Sequence, residues 1–139
     1  MTYIILPCYN EEGVVRDTTR LLLGYLSSKS CACSLLYVDD GSCDGTWDCI
    51  AEMCRTYPQV RGLRLSHNVG QQAATLAGIE ACVDAAEAVI SMDVDLQDDM
   101  RVIPRMIEEY RKGADVVYGV RRSRACDSLW KRGTASLFY

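Results

Sequence analysis

Short apolar runs and helical repeats alternate along this chain of 139 residues, and this alternation restricts its fold more than any other feature. The apolar runs are typical of buried strands, and helical spacing of apolar residues follows each run. The predicted strands cover 3–6, 35–38, 60–65, 88–92 and 115–118. The predicted helices cover about 11–27, 44–57 with Asp44 as N-cap, 71–86 and 103–112. This order predicts an α/β fold with a mostly parallel, Rossmann-like sheet flanked by helices.

Carboxylates gather directly after two of the predicted strands. Asp39 and Asp40 follow the second strand, and Asp93 and Asp95 follow the fourth. Ligands of open parallel sheets bind beyond the carboxyl ends of the strands, and a buried carboxylate is costly without a partner. The two clusters therefore predict a binding site at this edge of the sheet.

Two readings compete for each acidic cluster. Asp93 and Asp95, with the oxygen donor Gln97, suit Mg²⁺ or Mn²⁺ that holds phosphates, although such pairs are also common in surface loops. The glycines beside Asp40 permit a tight turn near a ligand, and a carboxylate can accept hydrogen bonds from the N–H edge of a nucleobase. The alternative for this cluster is a solvated turn in which Asp44 only caps the following helix. We prefer that alternative for Asp44, but not for Asp39 and Asp40.

Composition excludes several classes of protein. The eight cysteines include no C-x-x-C pair and the chain has one histidine, His67, so neither a disulfide scaffold nor a zinc site is expected. No apolar stretch reaches the roughly 20 residues that cross a bilayer. With 49% hydrophobic residues, the chain is expected to be soluble and to form one domain over 1–139. The unpartnered apolar pattern of 127–139 suggests a domain cut short at its C-terminal side.

The formal charge is divided unevenly. Residues 1–100 carry a net charge of −9, whereas residues 101–139 carry +5. The basic part is either a solvated face or a surface for phosphates or anionic lipid.

Four segments resemble, in order, the motifs of family 2 glycosyltransferases with the GT-A fold: LPCYNEE (6–12), VDDGSCDGT (38–46), HNVGQQAATLAGIEA (67–81) and MDVDLQDD (92–99). Within that family, the segment 118–139 looks most like the polyprenyl-phosphate hexosyltransferases, of the bactoprenol glucosyltransferase and dolichol-phosphate mannose synthase type. The resemblance covers the whole chain.

The resemblance implies a role for individual residues. It places Pro7, Tyr9 and Glu11 in a nucleotide pocket, with Asp40 and the adjacent Asp39 facing the base and Val94 against the nucleotide. It implies a Mg²⁺ or Mn²⁺ ion held by Asp93, Asp95 and Gln97. Asp95 and Arg121 are then catalytic, with Arg121 meeting the donor phosphates. Arg132 and Ser136 match a pair that grips the phosphate of the acceptor lipid.

The implied function is inverting transfer of a hexose from a UDP-glucose or GDP-mannose type donor to a polyprenyl or dolichyl phosphate. Such a phosphate is largely ionised at neutral pH, so the reaction needs no protein base. The full-length protein is then expected on the cytoplasmic side of the cell membrane, attached through a region beyond residue 139. Nucleic acid is not an expected partner.

Three alternatives remain beside that function. The acceptor could be a saccharide hydroxyl in cell-wall or surface polysaccharide synthesis, or this chain could bind a nucleotide sugar without turnover. A receiver-type signalling domain is also a five-stranded α/β fold with an acidic pocket. It requires an acidic pair after the first strand and a lysine after the fifth, where this chain has Pro7-Cys8 and Gly119-Val120.

Overall fold

The structure is a computed structural model that describes residues 1–120. Its four strands are parallel and lie in the order β3-β2-β1-β4. The strands are β1 (Thr2–Cys8), β2 (Cys33–Asp39), β3 (Val60–Arg64) and β4 (Ala88–Ser91). The helices are α1 (Val15–Ser28), α2 (Thr46–Thr56), α3 (Gln71–Cys82) and α4 (Ile103–Arg111), with a 3-10 turn at Met100–Val102 before α4. The predicted α/β fold is confirmed.

The two central strands, β1 and β2, are buried along their whole length. Helices cover both faces of the sheet, which explains why these strands read as continuous apolar runs rather than as alternating ones. Helices α1, α2 and α4 pack on the face that includes Ile4 and Leu6, and α3 packs on the face that includes Ile5 and Val38. The register pairs Cys8 with Asp39, so β1 and β2 end side by side.

Helix α3 approaches the sheet closely at Gly78. A Cβ at this position would lie 2.8 Å from Cγ2 of Ile5 and 2.9 Å from Cγ2 of Val38. Only glycine therefore fits without a shift of the neighbouring side chains. This contact fixes how α3, and hence its N-terminus, lies on the sheet.

The predicted fifth strand, at 115–118, is wrong for the described structure. Residues 115–118 pair with no strand, and Val116 and Tyr118 are 65% and 83% exposed. A strand needs a neighbour that accepts and donates its backbone hydrogen bonds, and the apolar sequence alone does not supply one. The described sheet therefore has β4 at one edge.

Two helix boundaries also differ from the prediction. Helix α1 begins at Val15 rather than near residue 11, and α3 ends at Cys82 rather than at residue 86. Asp44 accepts the backbone N–H of Thr46 at 3.0 Å, although Gly45 holds the N-cap position of α2. Among residues 1–120, no helix has both the length and the apolarity that a bilayer crossing requires.

Candidate active site

A cavity of about 370 Å³ lies beyond the carboxyl ends of β1, β2 and β4. Its volume falls within the range of small-molecule sites, which is roughly 300–1,000 Å³. It contains seven of the nine predicted site residues within 1–120: Pro7, Tyr9, Glu11, Asp40, Asp93, Val94 and Asp95. Asp39 and Gln97 do not line it. Arg121, Arg132 and Ser136 lie outside the described residues.

Asp40 holds the loop that leads into α3. Its carboxylate is 3% exposed, and its two oxygens accept the backbone N–H groups of Val69 at 2.7 Å and Gly70 at 2.9 Å. A carboxylate offers about four lone-pair positions, so both oxygens can still accept a hydrogen bond from a ligand. Asp40 can therefore position the loop and face a bound base at the same time.

Asp39 points away from the cavity, as expected for the neighbour of Asp40 on a strand. It is fully buried, and its Oδ1 accepts the backbone N–H of Ser42 at 3.0 Å. Its Oδ2 forms an ion pair with Nε of Arg64 at 3.3 Å. The geometry of that pair does not make a hydrogen bond, so Oδ2 accepts none from residues 1–120. The Arg64 guanidinium also lies 5.7 Å from the centre of the Trp47 ring. The contacts of Asp39 are thus with the turn and with β3.

The loops after β1 and β2 are joined by reciprocal hydrogen bonds, which we call the loop interlock (residues 10–12 with 42–46). Backbone N–H groups of the first loop donate to side chains of the second: Asn10 to Ser42 Oγ (2.9 Å), Glu11 to Thr46 Oγ1 (2.7 Å) and Glu12 to Asp44 Oδ2 (3.3 Å). In return, the backbone N–H of Cys43 donates to Asn10 Oδ1 and that of Gly45 donates to Glu12 Oε2. The interlock fixes the backbone that carries Tyr9 and Glu11.

Gly41 allows this arrangement. Its φ is +69°, and a Cβ would lie 2.5 Å from the backbone carbon of His67. A side chain at this position would therefore collide with the next loop of the cavity. Gly41 therefore lies in a turn, as the sequence predicts, and also allows a close approach of two backbones.

The acidic segment after β4 alternates between core and cavity. Val94 is 4% exposed and belongs to the core, and its carbonyl accepts the Thr18 hydroxyl at 2.7 Å. It also lines the cavity, together with Asp93 and Asp95 on either side of it. Asp95 Oδ1 accepts the backbone N–H of Gln97 at 3.0 Å. The Gln97 side chain is exposed and lies outside the cavity, because the chain turns at Leu96, where φ is +55°.

One carboxyl group of the cavity, that of Glu11, has a raised pKa. Burial raises the pKa of Glu11, and the negative charges of Asp95 and then Asp44 raise it further. Within residues 1–120, no three acidic, histidine or cysteine side chains come together as a complete metal cage. Mg²⁺-type ions are usually bound by one or two carboxylates together with substrate phosphates, and Asp93 and Asp95 fit that pattern.

Four residues of the cavity have no predicted role: Cys8, Asn68, Gly70 and Gln71. Gln71 is the first residue of α3, and its Nε2 donates to Asp93 Oδ1 at 2.7 Å. The available signal was the segment 67–81, which carries part of the family resemblance. Nothing in its composition indicated which of its polar residues would reach the acidic segment.

Solved structures support the fold. S. aureus TarS aligns with a TM-score of 0.60 at 19% identity, over 88% of this chain and 23% of that one. The mannosyltransferase PcManGT from Pyrobaculum calidifontis, solved in complex with GDP-Man and Mn²⁺, aligns with a TM-score of 0.50 at 22% identity, over 68% of this chain and 27% of that one. At these identities the similarity concerns the fold, and it agrees with the expected GT-A type.

Sequence relatives identify the family. The bactoprenol glucosyl transferase of Shigella phage SfX is 35% identical over 98% of this chain. The chain spans 42% to 44% of the length of the first curated relatives that it matches. Residues 3–136 match the profile of the family described as Glycosyl transferase family 2. Because that match covers nearly the whole chain and agrees with the cavity at the strand ends, the chain belongs to glycosyl transferase family 2.

Proposed function

We propose that this chain is the donor-binding part of an inverting glycosyltransferase that moves a hexose from a nucleoside-diphosphate sugar to a polyprenyl phosphate. One observation carries the proposal: the ends of three parallel strands bring Asp40, Glu11, Asp93 and Asp95 to a single cavity of about 370 Å³. In this proposal residues 1–139 belong to one GT-A catalytic domain.

The two sides of the cavity suit the two ends of a nucleoside diphosphate. Asp40 can accept the N–H of a pyrimidine or guanine base, and Pro7 and Tyr9 offer apolar surface to the nucleoside. Asp93 and Asp95 lie on the other side, where a diphosphate would carry its charge. Val94 lies between them with its side chain packed in the core.

The acidic side of the cavity requires a cation before it can accept a diphosphate. Asp93 and Asp95 supply the hard oxygen ligands that Mg²⁺ and Mn²⁺ prefer. Gln97 can join them only if its exposed side chain adopts another conformation. When bound, the cation would neutralise the charge that develops on the leaving diphosphate. The Mn²⁺ complex of the structural neighbour PcManGT supports this part of the proposal.

The acceptor is proposed from the relatives and from the charge of the chain. Several relatives are named bactoprenol glucosyl transferase, and residues 101–139 carry a net charge of +5. A polyprenyl phosphate is already ionised at neutral pH and needs no general base, whereas Arg121, Arg132 and Ser136 can pair with phosphate oxygens. The whole protein would then act at the cytoplasmic face of a membrane.

Calorimetric titration tests the donor site. UDP and GDP are titrated into the 139-residue chain with Mn²⁺, with Mg²⁺ and with EDTA. We expect one nucleotide to bind at least about tenfold more tightly with the metal, because the cation offsets the repulsion between the diphosphate and the carboxylates of Asp93 and Asp95. The same titrations with UDP-glucose and GDP-mannose test whether a donor sugar adds affinity to that of the preferred nucleotide.

Matched variants assign any binding to the cavity. Asp93→Asn is expected to abolish the metal dependence, whereas Asp84→Asn removes the same charge from an exposed position beyond the other end of α3 and is expected to change nothing. If neither UDP nor GDP binds in a metal-dependent way, the proposed function is wrong.

A further inference from the structure

We propose that Gln71 is a positioning residue that orients the Asp93 carboxylate for a cation and a diphosphate; this inference rests on the proposed function. Its Nε2 donates to Asp93 Oδ1 at 2.7 Å across the cavity that both residues line. This bond links the N-terminus of α3 to the acidic segment after β4.

The backbone of Gln71 is held on its N-terminal side. Asp40 accepts the N–H groups of Val69 and Gly70, the two residues that precede Gln71. Gly70 has φ +91° and ψ 151°, a conformation that side chains other than hydrogen rarely allow. The entry into α3 is therefore fixed by a buried carboxylate directly after the central strand β2.

The backbone of Gln71 is also held on its C-terminal side. Helix α3 lies on the sheet at Gly78, where no room for a Cβ remains beside Ile5 and Val38. A side chain that starts from a helix fixed at both points reaches Asp93 from one direction. The Gln71 amide can thus select one orientation of that carboxylate.

A neutral donor is the suitable partner for Asp93. Glu11 and Asp95 line the same cavity, and their mutual repulsion raises the pKa of Glu11 after the larger effect of burial. An arginine or lysine at position 71 would neutralise Asp93 and compete with a cation. The Gln71 amide instead occupies one lone pair of Oδ1 and leaves Oδ2 free for coordination.

Outer partners of metal-binding side chains are important for affinity. Removing such a partner typically weakens metal binding by about 10- to 100-fold, because the ligand loses its orientation. Since Gln71 makes one bond to a half-buried carboxylate, we expect an effect at the lower end of that range.

The experiment compares Gln71→Ala with Gln72→Ala in the 139-residue chain. Gln72 is the next residue of α3, is exposed and lies outside the cavity, so its variant controls for the loss of a glutamine in the first helical turn. Binding of the preferred nucleotide, UDP or GDP, is measured by calorimetry with Mn²⁺ and with EDTA. For Gln71→Ala we expect affinity about tenfold weaker with Mn²⁺ and unchanged within about twofold in EDTA. For Gln72→Ala we expect neither value to change.

A third variant separates positioning from direct coordination. Gln71→Glu cannot donate to Asp93 and adds a negative charge beside it, so a positioning role predicts weaker Mn²⁺-dependent binding. If Gln71→Glu binds more tightly with Mn²⁺ than the wild type, Gln71 is itself a ligand and the inference is wrong. Thermal unfolding of each variant checks that the exposed substitutions leave the fold intact.

The remaining outcomes are also decisive. Equal affinities of Gln71→Ala and Gln72→Ala would overturn the inference while leaving the proposed function in place. Equal losses by Gln71→Ala in Mn²⁺ and in EDTA would make Gln71 a nucleotide contact instead. A wild-type chain without metal-dependent binding would overturn the proposed function, and the inference with it.

Discussion

The two acidic loops of the cavity are held by different means. The loop after β2 is joined to the loop after β1 by five reciprocal hydrogen bonds between backbone and side chains. The segment after β4 has fewer bonds to the rest of the protein, chiefly those that Thr18 makes to Val94 and Gln71 makes to Asp93. The Tyr25 hydroxyl also donates to the Arg101 carbonyl at 3.4 Å, whereas the bonds within 95–97 and 99–101 are local.

The two sides of the cavity can therefore perform different tasks. A rigid side can select a base by fixed hydrogen bonds, because the cost of ordering is met when the chain folds. The side after β4 has fewer restraints, so its carboxylates can adjust to a cation and to the phosphates of a bound nucleotide. We therefore expect changes in the interlocked loops to reduce stability most, and changes after β4 to act mainly on metal-dependent binding.

Asp40→Ala is expected to have the largest effect. The substitution leaves two backbone N–H groups without their buried, charged acceptor, and hydrogen bonds to a charged group contribute about 1.5–3 kcal/mol each. We expect the free energy of unfolding to fall by about 3 kcal/mol in urea titrations, with loss of nucleotide binding. Asp40→Asn keeps one acceptor oxygen, so its free energy of unfolding should lie between those of the wild type and Asp40→Ala. A loss below about 1 kcal/mol would show that water replaces Asp40 and that this side of the cavity is not rigid.

Two buried threonine hydroxyls, those of Thr46 and Thr18, hold the two sides of the cavity. Thr46→Val removes the acceptor of the Glu11 N–H, and Thr18→Val removes the donor to the Val94 carbonyl. We expect losses of about 2 and about 1 kcal/mol, since an unsatisfied N–H is worse than a carbonyl with another lone pair. Thr18→Val should weaken metal-dependent binding by the larger factor.

Serine variants provide the control for that comparison. Thr46→Ser and Thr18→Ser keep the hydroxyl and lose only a methyl group, so each should retain the binding that its valine counterpart loses. If Thr46→Val and Thr18→Val reduce stability and binding alike, the two sides of the cavity do not differ in the way that their contacts suggest.

The sequence was sufficient for the strand ends but not for the side-chain directions. Apolar runs followed by acids predict Asp40, Asp93 and Asp95 at one edge of the sheet, because parallel strands end there, and the family resemblance adds Pro7, Tyr9, Glu11 and Val94. All seven residues line the cavity. The choice between Asp39 and Asp40 depends on the phase of the pleat. In a strand buried on both faces, the residue pattern does not reveal that phase. The sequence therefore predicts Asp39 beside the base, whereas the structure shows its carboxylate paired with Arg64.

Long-range pairing was the other part that the sequence could not supply. Glu11 and Glu12 fall within the predicted helix, but their N–H groups are bound by side chains 35 and 32 positions later. The apolar residues of 115–118 read as a strand, but no described strand pairs with them. The hydrogen bond from Gln71 to Asp93 spans 22 positions, and no pattern in the sequence predicts it.

The smallest expected effect concerns the pH dependence of the two loops. Partial burial tends to raise the pKa of Asp44, but hydrogen bonds from Thr46 and Glu12 outweigh it and hold that pKa below its ordinary value of 3.8. A lowered pKa in the folded state means that the unfolded chain binds more protons, so this stabilisation is present above the ordinary pKa and is lost as the pH falls through the folded-state value. Asp44→Asn should therefore lower the melting temperature at pH 7 but not near pH 2, with the difference shrinking below about pH 4.

Asp99 provides the counterpart after β4. The pKa of Asp99 is lowered by hydrogen bonds from Arg101, its neighbour two positions along the chain. An exposed local pair of this kind can persist in part in the unfolded chain and contributes little to stability. Melting curves of Asp99→Asn between pH 2 and pH 7 should therefore follow the wild type, while those of Asp44→Asn diverge above pH 4. If both variants change the melting temperature by the same amount at each pH, the Asp44 carboxylate is no more important for folding than a local turn. The contrast between the two loops must then come from Asp40 and Thr46 alone.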